Sequence, residues 1–207
     1  MDLLLATRNG HKTREFGELL GKDFELFDLH SFPGISVPEE TGRTFKENAV
    51  LKALSVSRHS QIVAQKLTVI ADDSGLEVDS LGGAPGIYSA RYAGEAASDR
   101  QNIDKLIAEL ARQNVPADRR TARFQCVIAL ARGGEITRTF EGVVEGRIVH
   151  PPRGKNGFGY DPVFQPDGFD QTFGEIQPEL KNRLSHRAKA AAALREELSP
   201  IKQDRTD

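Results

Sequence analysis

The stretch LTVIADDSG, residues 67–75, joins an apolar run to two adjacent carboxylates. Leu67 to Ala71 is short, apolar and rich in β-branched residues, which predicts a buried β-strand. We expect this strand to end at Asp72-Asp73-Ser74-Gly75, because these residue types favour an Asx-type turn. Open α/β sheets bind ligands at the carboxyl ends of their strands. The residues therefore leave two interpretations open, a structural turn and a site in which carboxylates bind Mg²⁺.

Strands and helices are predicted on both sides of this stretch without strict alternation. On the amino-terminal side we expect strands over Leu3 to Ala6 and Phe24 to Phe27, helices over Lys12 to Leu20 and Thr44 to about Arg58, and a loop over Ser31 to Gly42. On the carboxyl-terminal side we expect a helix opening at Ser98, strands over Phe124 to Ala131, Ile136 to Phe140 and Gly142 to Val149, and a helix over Arg187 to Leu198. Thr44 and Ser98 have the capping-box pattern, and Ser185 is the expected N-cap of the last helix. The pattern predicts an α/β fold whose sheet is mixed and not purely parallel.

Composition excludes several classes of function. The chain has 207 residues with 28 Lys and Arg against 30 Asp and Glu, and a net charge of −2, so no basic footprint for polymeric nucleic acid is present. The longest apolar runs are too short to cross a bilayer. Asp2 stands where a signal peptide needs a basic flank, so we expect a cytoplasmic protein without membrane contact. The single cysteine, Cys126, lies in an apolar run and is expected to be a buried, inert thiol.

Asn9-Gly10-His11-Lys12 lies between a predicted strand and a predicted helix. Free backbone N–H groups, a helix amino terminus and a lysine would meet there, which favours phosphate binding. An ordinary Asn-Gly turn before a surface helix explains the same residues. The glycine and lysine spacing of a P-loop is missing here and also at Arg153 to Asn156.

Aromatic and basic residues gather near the carboxyl terminus. Gly157-Phe158-Gly159-Tyr160-Asp161-Pro162 offers two aromatic rings in a flexible loop, and a base could stack on Phe158. Lys181, His186 and Arg187 surround the start of the last predicted helix. A solvated helix terminus is the alternative, although basic residues in a first turn oppose the helix dipole.

Taken together, these segments form six blocks that are recognisable as a set. They are ATRNGHK (6–12), EETG with TF and ENA (39–49), ADDSGL (71–76), LGGAPGIYSARY (81–92), GFGYDP (157–162) and SHR (185–187). In this order the chain resembles the inosine triphosphate pyrophosphatase family over essentially its whole length. Six blocks in the same order make a chance match very improbable.

The resemblance implies an elongated, two-lobed α/β fold, with a mixed sheet flanked by helices and a nucleotide cleft between the lobes. We expect one such domain over residues 1–198, with a flexible tail over residues 199–207. The resemblance further implies a homodimer and dependence on Mg²⁺.

Residue roles follow from the same resemblance. Glu40 and Asp73 would hold the metal, and Asp73 would also be the catalytic base. Lys52 would reach the phosphates, and Ser74 would contact the substrate. Phosphate would be held by Thr7, Arg8, Asn9, Gly10, His11 and Lys12. The base pocket would comprise Phe158, Gly159, Tyr160, Asp161, Lys181, His186 and Arg187. Arg8 departs from the glycine of many members and His11 is a second departure, so the resemblance does not define the detailed shape of this loop.

The implied activity is hydrolysis of non-standard purine nucleoside triphosphates (ITP, dITP, XTP) to the monophosphate and pyrophosphate. Attack at the γ-phosphorus would instead give a diphosphate, and the residues alone do not choose between the two. Two alternatives remain, a Maf-like pyrophosphatase for modified pyrimidine nucleotides and a nucleotide-binding module without catalysis. The SHR and GFGYDP blocks disfavour the first, and the presence of both Glu40 and Asp73 disfavours the second.

Overall fold

A six-stranded mixed sheet organises the chain in the computed structural model, which describes residues 1–199. Its strands are β1 (Asp2–Leu5), β2 (Glu25–Asp28), β3 (Thr68–Val78), β4 (Thr121–Arg132), β5 (Glu135–Ile148) and β6 (Phe164–Pro166). They lie in the order β2-β1-β3-β4-β5-β6. β1 pairs in parallel with β2 and β3, and every later pairing in this order is antiparallel. The predicted mixed α/β sheet is confirmed.

Helices cover both faces of this sheet. They are α1 (Gly10–Leu20), α2 (Phe45–Ser57), α3 (Ser60–Gln65), α4 (Asp99–Arg112), α5 (Pro178–Leu184) and α6 (His186–Leu198). The predicted caps are present: Thr44 accepts from the Glu47 N–H, Ser98 forms a full capping box with Gln101, and Ser185 accepts from the Ala188 N–H. α3 and α5 were not predicted, since each spans only two turns or fewer.

The prediction that the β3 strand ends at Asp72 was wrong. β3 continues to Val78, because β4 pairs with it antiparallel from Val69 opposite Ala131 to Val78 opposite Ala122. This ladder overrides the local turn preference of Asp72 to Gly75, and the Asx-type turn does not form there. The strands predicted over Ile136 to Phe140 and Gly142 to Val149 are likewise one strand, β5, because its pairing with β4 continues through Glu141.

Other expectations concern burial and the membrane. Cys126 is fully buried, as expected. Within residues 1–199, no helix has the length and apolar character needed to span a bilayer. The predicted flexible tail, residues 199–207, lies outside the described residues except for Ser199.

Three apolar cores pack against the sheet. The α2-side core includes Leu4, Val69, Ala71, Val127, Phe45, Ala49 and Ala53. The α6-side core includes Leu5, Phe16, Ile70, Ile128, Ala190 and Leu194. The α4-side core includes Leu76, Val78, Phe124, Ile103, Leu106 and Phe173. Because side chains alternate along a strand, the α6-side and α4-side cores share one face of β3, and Asp72 and Ser74 lie between them on that face.

The start of α6 lies unusually close to β5. A Cβ atom on Gly142 would overlap the His186 carbonyl oxygen and would lie 2.7 Å from the Ala190 nitrogen. Only glycine permits this distance of approach, since both obstacles are backbone atoms. Gly142 therefore allows the first turn of α6, which carries His186 and Arg187, to pack directly against β5.

We predict that Gly142→Ala lowers the free energy of unfolding by about 1–3 kcal/mol, the usual cost of overpacking. The matched control is Gly17→Ala in α1, where an added Cβ meets no atom within 4 Å. In that exposed helical position, alanine should stabilise by about 0.5–1 kcal/mol. Urea unfolding monitored by circular dichroism measures both, and equal effects would contradict the close approach of α6.

Candidate active site

A cavity of about 290 Å³ opens where β3 continues past the end of β1. Segments distant in sequence meet there. Twelve of the predicted site residues line it, namely Asn9, Lys12, Glu40, Asp73, Ser74, Phe158, Gly159, Tyr160, Asp161, Lys181, His186 and Arg187. Lys52 lies behind Glu40 and Asp73, whereas Thr7, Arg8, Gly10 and His11 do not line the cavity.

On the α2 side of β3, two carboxylates converge on one ammonium group. Lys52 Nζ lies 2.8 Å from Glu40 Oε1 and 3.1 Å from Asp73 Oδ1. Asn48 donates to the other Asp73 oxygen at 3.1 Å. Burial raises the pKa of Asp73, and the attraction of Lys52 offsets only part of that effect. Asp73 is thus a carboxylate held in place but relatively basic.

Glu40 has the opposite protonation tendency. Burial acts to raise its pKa, but Lys52 and Arg91 outweigh burial, so the pKa of Glu40 lies below its ordinary value. Arg91 donates to Glu40 Oε2 at 3.0 Å. Glu40 therefore stays ionised while the pKa of its neighbour Asp73 rises, the kind of separation that assigns different roles to two acids.

On the other side of β3, Asp72 lies close to two positively charged side chains. Lys12 Nζ lies 2.9 Å from Asp72 Oδ2, Arg187 Nε lies 3.5 Å from the same oxygen, and Ser74 Oγ donates to it at 3.1 Å. Burial alone would raise the pKa of Asp72, but Lys12 and Arg187 reverse the effect and hold it well below the usual range. Asp72 thus connects the lysine of the amino-terminal loop to the arginine of α6.

Arg187 is held from three directions although only 4% of it is exposed. Besides Asp72, its guanidinium donates to Glu15 Oε2 and to Ser74 Oγ, each at 2.7 Å. These partners offset the unfavourable position of a cation in the first turn of a helix. A solvated helix terminus, the alternative that the sequence left open, is excluded because the whole group is buried.

The neighbouring His186 is also buried. Its ring stacks on Phe124 with centroids 4.7 Å apart. Burial, followed by the nearby cations Arg187 and Lys181, lowers its pKa well below the ordinary value, so the imidazole is neutral. Within residues 1–199, His186 Nδ1 has no hydrogen-bond partner. A buried, neutral ring with a free nitrogen at the cavity wall can serve a ligand.

The Phe158 loop is anchored by carboxylates. Asp161 Oδ2 accepts from the Phe158 N–H at 2.8 Å and from Lys181 Nζ at 2.7 Å. Burial raises the pKa of Asp161, although Lys181 opposes the rise. The Gly159 N–H donates to Asp99 at 2.7 Å, and the Tyr160 hydroxyl donates to the Ser89 carbonyl. Tyr160 therefore lines the cavity with its ring while its hydroxyl is already engaged.

The amino-terminal loop has a mainly structural hydrogen-bond pattern. Asn9 is the N-cap of α1 and accepts from the His11 and Lys12 N–H groups, while Thr7 Oγ1 accepts from the Asn9 N–H. Gly10 is the first residue of α1. Arg8 donates to the carbonyls of Pro33 and Ile35 and so holds the loop that follows β2 in place. Asn9 and Lys12 are the members that reach the cavity; phosphate binding by the others stays a prediction.

Several functional side chains were not assigned from the sequence. Asn48 and Arg91 lie inside blocks that were matched to the family, yet nothing in the pattern gave them a role. Glu15 lies on α1 and orients two basic side chains, Arg187 at 2.7 Å and Lys181 at 3.5 Å. Each acts through a partner far away in sequence, so only the fold reveals its role.

The α2-side carboxylates fit a hard cation. Glu40 Oε1 and Asp73 Oδ1 already face one positive centre, the Lys52 ammonium, and carboxylate oxygens are the ligands that Mg²⁺ prefers. Among the residues that the structure describes, no cluster of three or more His, Cys, Asp or Glu forms a complete metal cage. The donor set therefore suits an ion whose remaining ligands come from water and a bound phosphate.

Comparisons with known proteins agree over nearly the full chain. The profile of the Ham1 family matches residues 3–197. A dITP/XTP pyrophosphatase of Shouchella clausii is 48% identical over 200 residues, covering 97% of this chain and 98% of the relative. The Bacillus subtilis protein of the same name is 45% identical over 194 residues, covering 93% and 94%.

Solved structures show the same similarity. A HAM1 protein from Coxiella burnetii superposes with a TM-score of 0.84 at 38% identity, covering 96% of this chain and 98% of that one. The Staphylococcus aureus Ham1 protein gives a TM-score of 0.81 at 41% identity with the same coverage.

We predict different stability effects for amide substitutions of the two adjacent aspartates. Asp72→Asn leaves Lys12 and Arg187 without their shared carboxylate, and breaking a buried pair costs about 3–5 kcal/mol. Asp73→Asn removes a carboxylate whose ionisation the fold opposes, so its effect should be about 1 kcal/mol or less. Urea unfolding at pH 7 measures both.

The pH dependence provides the internal control. A carboxylate with a lowered folded-state pKa stabilises fully above its unfolded pKa of about 3.9, and the contribution disappears as pH falls toward the folded value. The difference between wild type and Asp72→Asn should therefore be smaller at pH 3 than at pH 7. A constant difference, or a larger loss in Asp73→Asn, would contradict the assignment.

Proposed function

The chain belongs to the Ham1 family, and on that premise we propose that it hydrolyses non-standard purine nucleoside triphosphates, such as dITP, ITP and XTP, to the monophosphate and pyrophosphate. One observation supports this proposal above the others. A single cavity is bordered by a lysine suited to phosphate, by two carboxylates around Lys52, and by an aromatic ring suited to a base.

The phosphate end depends on charge neutralisation, because phosphoryl transfer requires mainly positioning and electrostatic stabilisation from the protein. When bound, Mg²⁺ would be held by Glu40 and Asp73 and would supply positive charge to the triphosphate. Lys12 adds a cation at the cavity wall, and Asp72 orients it. Lys52 keeps the two carboxylates together and supplies a second positive group behind them.

Asp73 is the proposed general base. Lys52 and Asn48 fix its two oxygens, which positions a carboxylate at the cavity wall to accept a proton. It takes a proton from the attacking water as the oxygen–phosphorus bond forms at the α-phosphorus. The bond between that phosphorus and the bridging oxygen then breaks, and pyrophosphate leaves.

The base end would distinguish purines by their 6-position. Phe158 offers a π-face, and stacking of this kind accepts any purine. Inosine and xanthosine carry a carbonyl acceptor where adenosine carries an amino donor. Arg187 has five N–H donors. Glu15 and Ser74 accept from two and the Nε faces Asp72, so a remaining N–H can donate to that carbonyl. Adenine would leave such a buried donor unpaired, at about 1–3 kcal/mol per group.

We further propose the oligomeric state, the domain extent and the cellular location that the family resemblance implies. The active unit is a homodimer of two-lobed domains, each spanning residues 1–198. It works in the cytoplasm, where nucleoside triphosphates are made and used.

An assay of pyrophosphate release with Mg²⁺ across ITP, XTP, dITP, GTP, ATP and dTTP tests the proposed activity. The expected result is high kcat/KM for the first three. Preference for a modified pyrimidine nucleotide would favour a Maf-like activity, and binding without pyrophosphate release would favour a non-catalytic module. Phosphate and a diphosphate as products would place the attack at the γ-phosphorus.

We predict that Asp73→Asn abolishes pyrophosphate release from ITP and leaves the fold intact, because it removes the base while preserving side-chain volume. General-base catalysis contributes about 10²–10⁴-fold, so the loss in kcat should be at least that large when a metal ligand is also altered. Initial rates at saturating ITP and Mg²⁺ measure it. The exposed substitution Asp104→Asn is the matched control; comparable loss in both would remove Asp73 from catalysis.

We predict that Arg187→Ala lowers kcat/KM for ITP far more than for ATP, since ATP offers no carbonyl to this donor. A hydrogen bond from a charged group contributes about 1.5–3 kcal/mol, which is about one to two powers of ten. Lys12→Ala should reduce both substrates in parallel. Circular dichroism checks the fold, and Arg187→Lys retains the charge beside Glu15 and Asp72 if the alanine variant is unstable. Equal losses for ITP and ATP would reassign Arg187 to phosphate binding or folding.

A further inference from the structure

His11 lies against Phe158 and not against the cavity. The two rings are stacked, with centroids 5.5 Å apart and planes inclined by 27°. The His11 backbone N–H is engaged with Asn9, so the contact is made by the side chain alone. His11 is the second residue of α1, whereas Phe158 lies 147 positions later in the loop before β6.

Phe158 separates two hollows. It lines the cavity together with Lys12, Asp73 and Arg187, and it also lines a second hollow together with His11, Arg14 and Asn156. His11 borders only the second hollow. The imidazole therefore lies on the side of Phe158 that faces away from the cavity. Two cations of the cavity wall also lie over the ring, Arg187 at 5.1 Å and Lys181 at 5.3 Å from its centroid, and a purine would share the inner side with them.

The loop around Phe158 fixes its own backbone, whereas the phenyl ring is held by side chains from other elements. Gly157 and Gly159 have φ values of +73° and +61°, a region that suits glycine and would strain other residues. Asp161 and Asp99 hold the N–H groups of Phe158 and Gly159. Within residues 1–199, the aromatic ring stacked on Phe158 is His11. Without it, the outer face of the phenyl ring would lose its stacked aromatic partner.

We propose that His11 is a positioning residue for base recognition: it supports the outer face of Phe158 so that the inner face stacks on the purine. This inference rests on the proposed function and deepens it. It also couples the two ends of the site, since α1 carries both His11 and Lys12, the lysine of the phosphate end. The side chain of His11 thereby acts on the base and not on the phosphates.

A double-mutant cycle with Phe158→Ala tests the proposal. His11→Ala should raise KM for ITP, XTP and dITP by a similar factor of about two- to tenfold, the range for one aromatic pair, while kcat changes little. His11→Phe should restore the wild-type KM, because it retains a ring. In the Phe158→Ala background, His11→Ala should have no further effect. The control is His30→Ala, which removes an exposed imidazole whose ring contacts Asp28.

Two reaction products, IMP and pyrophosphate, test the base end and the phosphate end of the site separately. Neither measurement requires the variants to turn over substrate. Binding of IMP, which contains the purine, should weaken in His11→Ala by the same factor as KM. Binding of pyrophosphate, which has no base, should not change. Isothermal titration calorimetry measures both with the folded protein. Thermal unfolding should show a Tm for His11→Ala only about 1–6 °C below wild type, the loss expected for one aromatic pair, so both proteins are folded during the titrations.

Three outcomes would overturn the proposal. Weaker pyrophosphate binding in His11→Ala, with rescue by His11→Lys and not by His11→Phe, would make His11 a phosphate ligand. A lower KM in His11→Ala would mean that the imidazole competes with the base for Phe158. Equal effects in both Phe158 backgrounds would show that the stack has no role. If wild type binds IMP but releases no pyrophosphate from ITP, the proposed activity is wrong. The IMP titrations would still test whether His11 supports Phe158.

Discussion

Successive side chains of a β-strand point to opposite faces of the sheet, and the whole site depends on this rule at Asp72 and Asp73. The two carboxylates are neighbours in sequence but belong to separate ionic networks. Asp73 faces Lys52 and Asn48 on the α2 side, while Asp72 faces Lys12 and Arg187 on the other. Had β3 ended before them, as the local residues suggest, a turn would have left their directions undefined. The antiparallel ladder with β4 keeps both in regular strand geometry.

The two networks have different physical consequences. Asp72 is surrounded by positive groups, which lower its pKa and make it a structural anchor. Asp73 is buried beside a single lysine that it shares with Glu40, so its pKa rises and it retains basicity. Identical side chains at adjacent positions thus acquire opposite protonation tendencies from their surroundings. This separation is what a site needs if one acid is to orient cations and the next is to accept a proton.

Packing brings distant parts of the chain to this strand. The glycine at position 142 lets α6 approach β5, and the buried first turn of that helix then places Arg187 between Asp72 and Glu15. On the same sheet face, the apolar α6-side and α4-side cores leave a polar strip between them. The cavity borders that strip at Ser74 and also reaches Asp73 and Glu40 on the other face, because it opens where β3 continues past the end of β1.

Much was determined by the sequence itself. Periodicity and capping residues predicted the mixed α/β class, the strand of residues 68–71 and the caps of α2, α4 and α6, since these depend on neighbours a few positions away. The family resemblance named twelve of the residues that line the cavity, but it also named Thr7, Arg8, Gly10 and His11, which do not line it. Tertiary structure alone decided the extension of β3, the union of two predicted strands in β5, and the roles of Asn48, Arg91 and Glu15. These depend on partners far along the chain, and a local pattern carries no information about which distant strand or side chain will supply the missing hydrogen bond or charge.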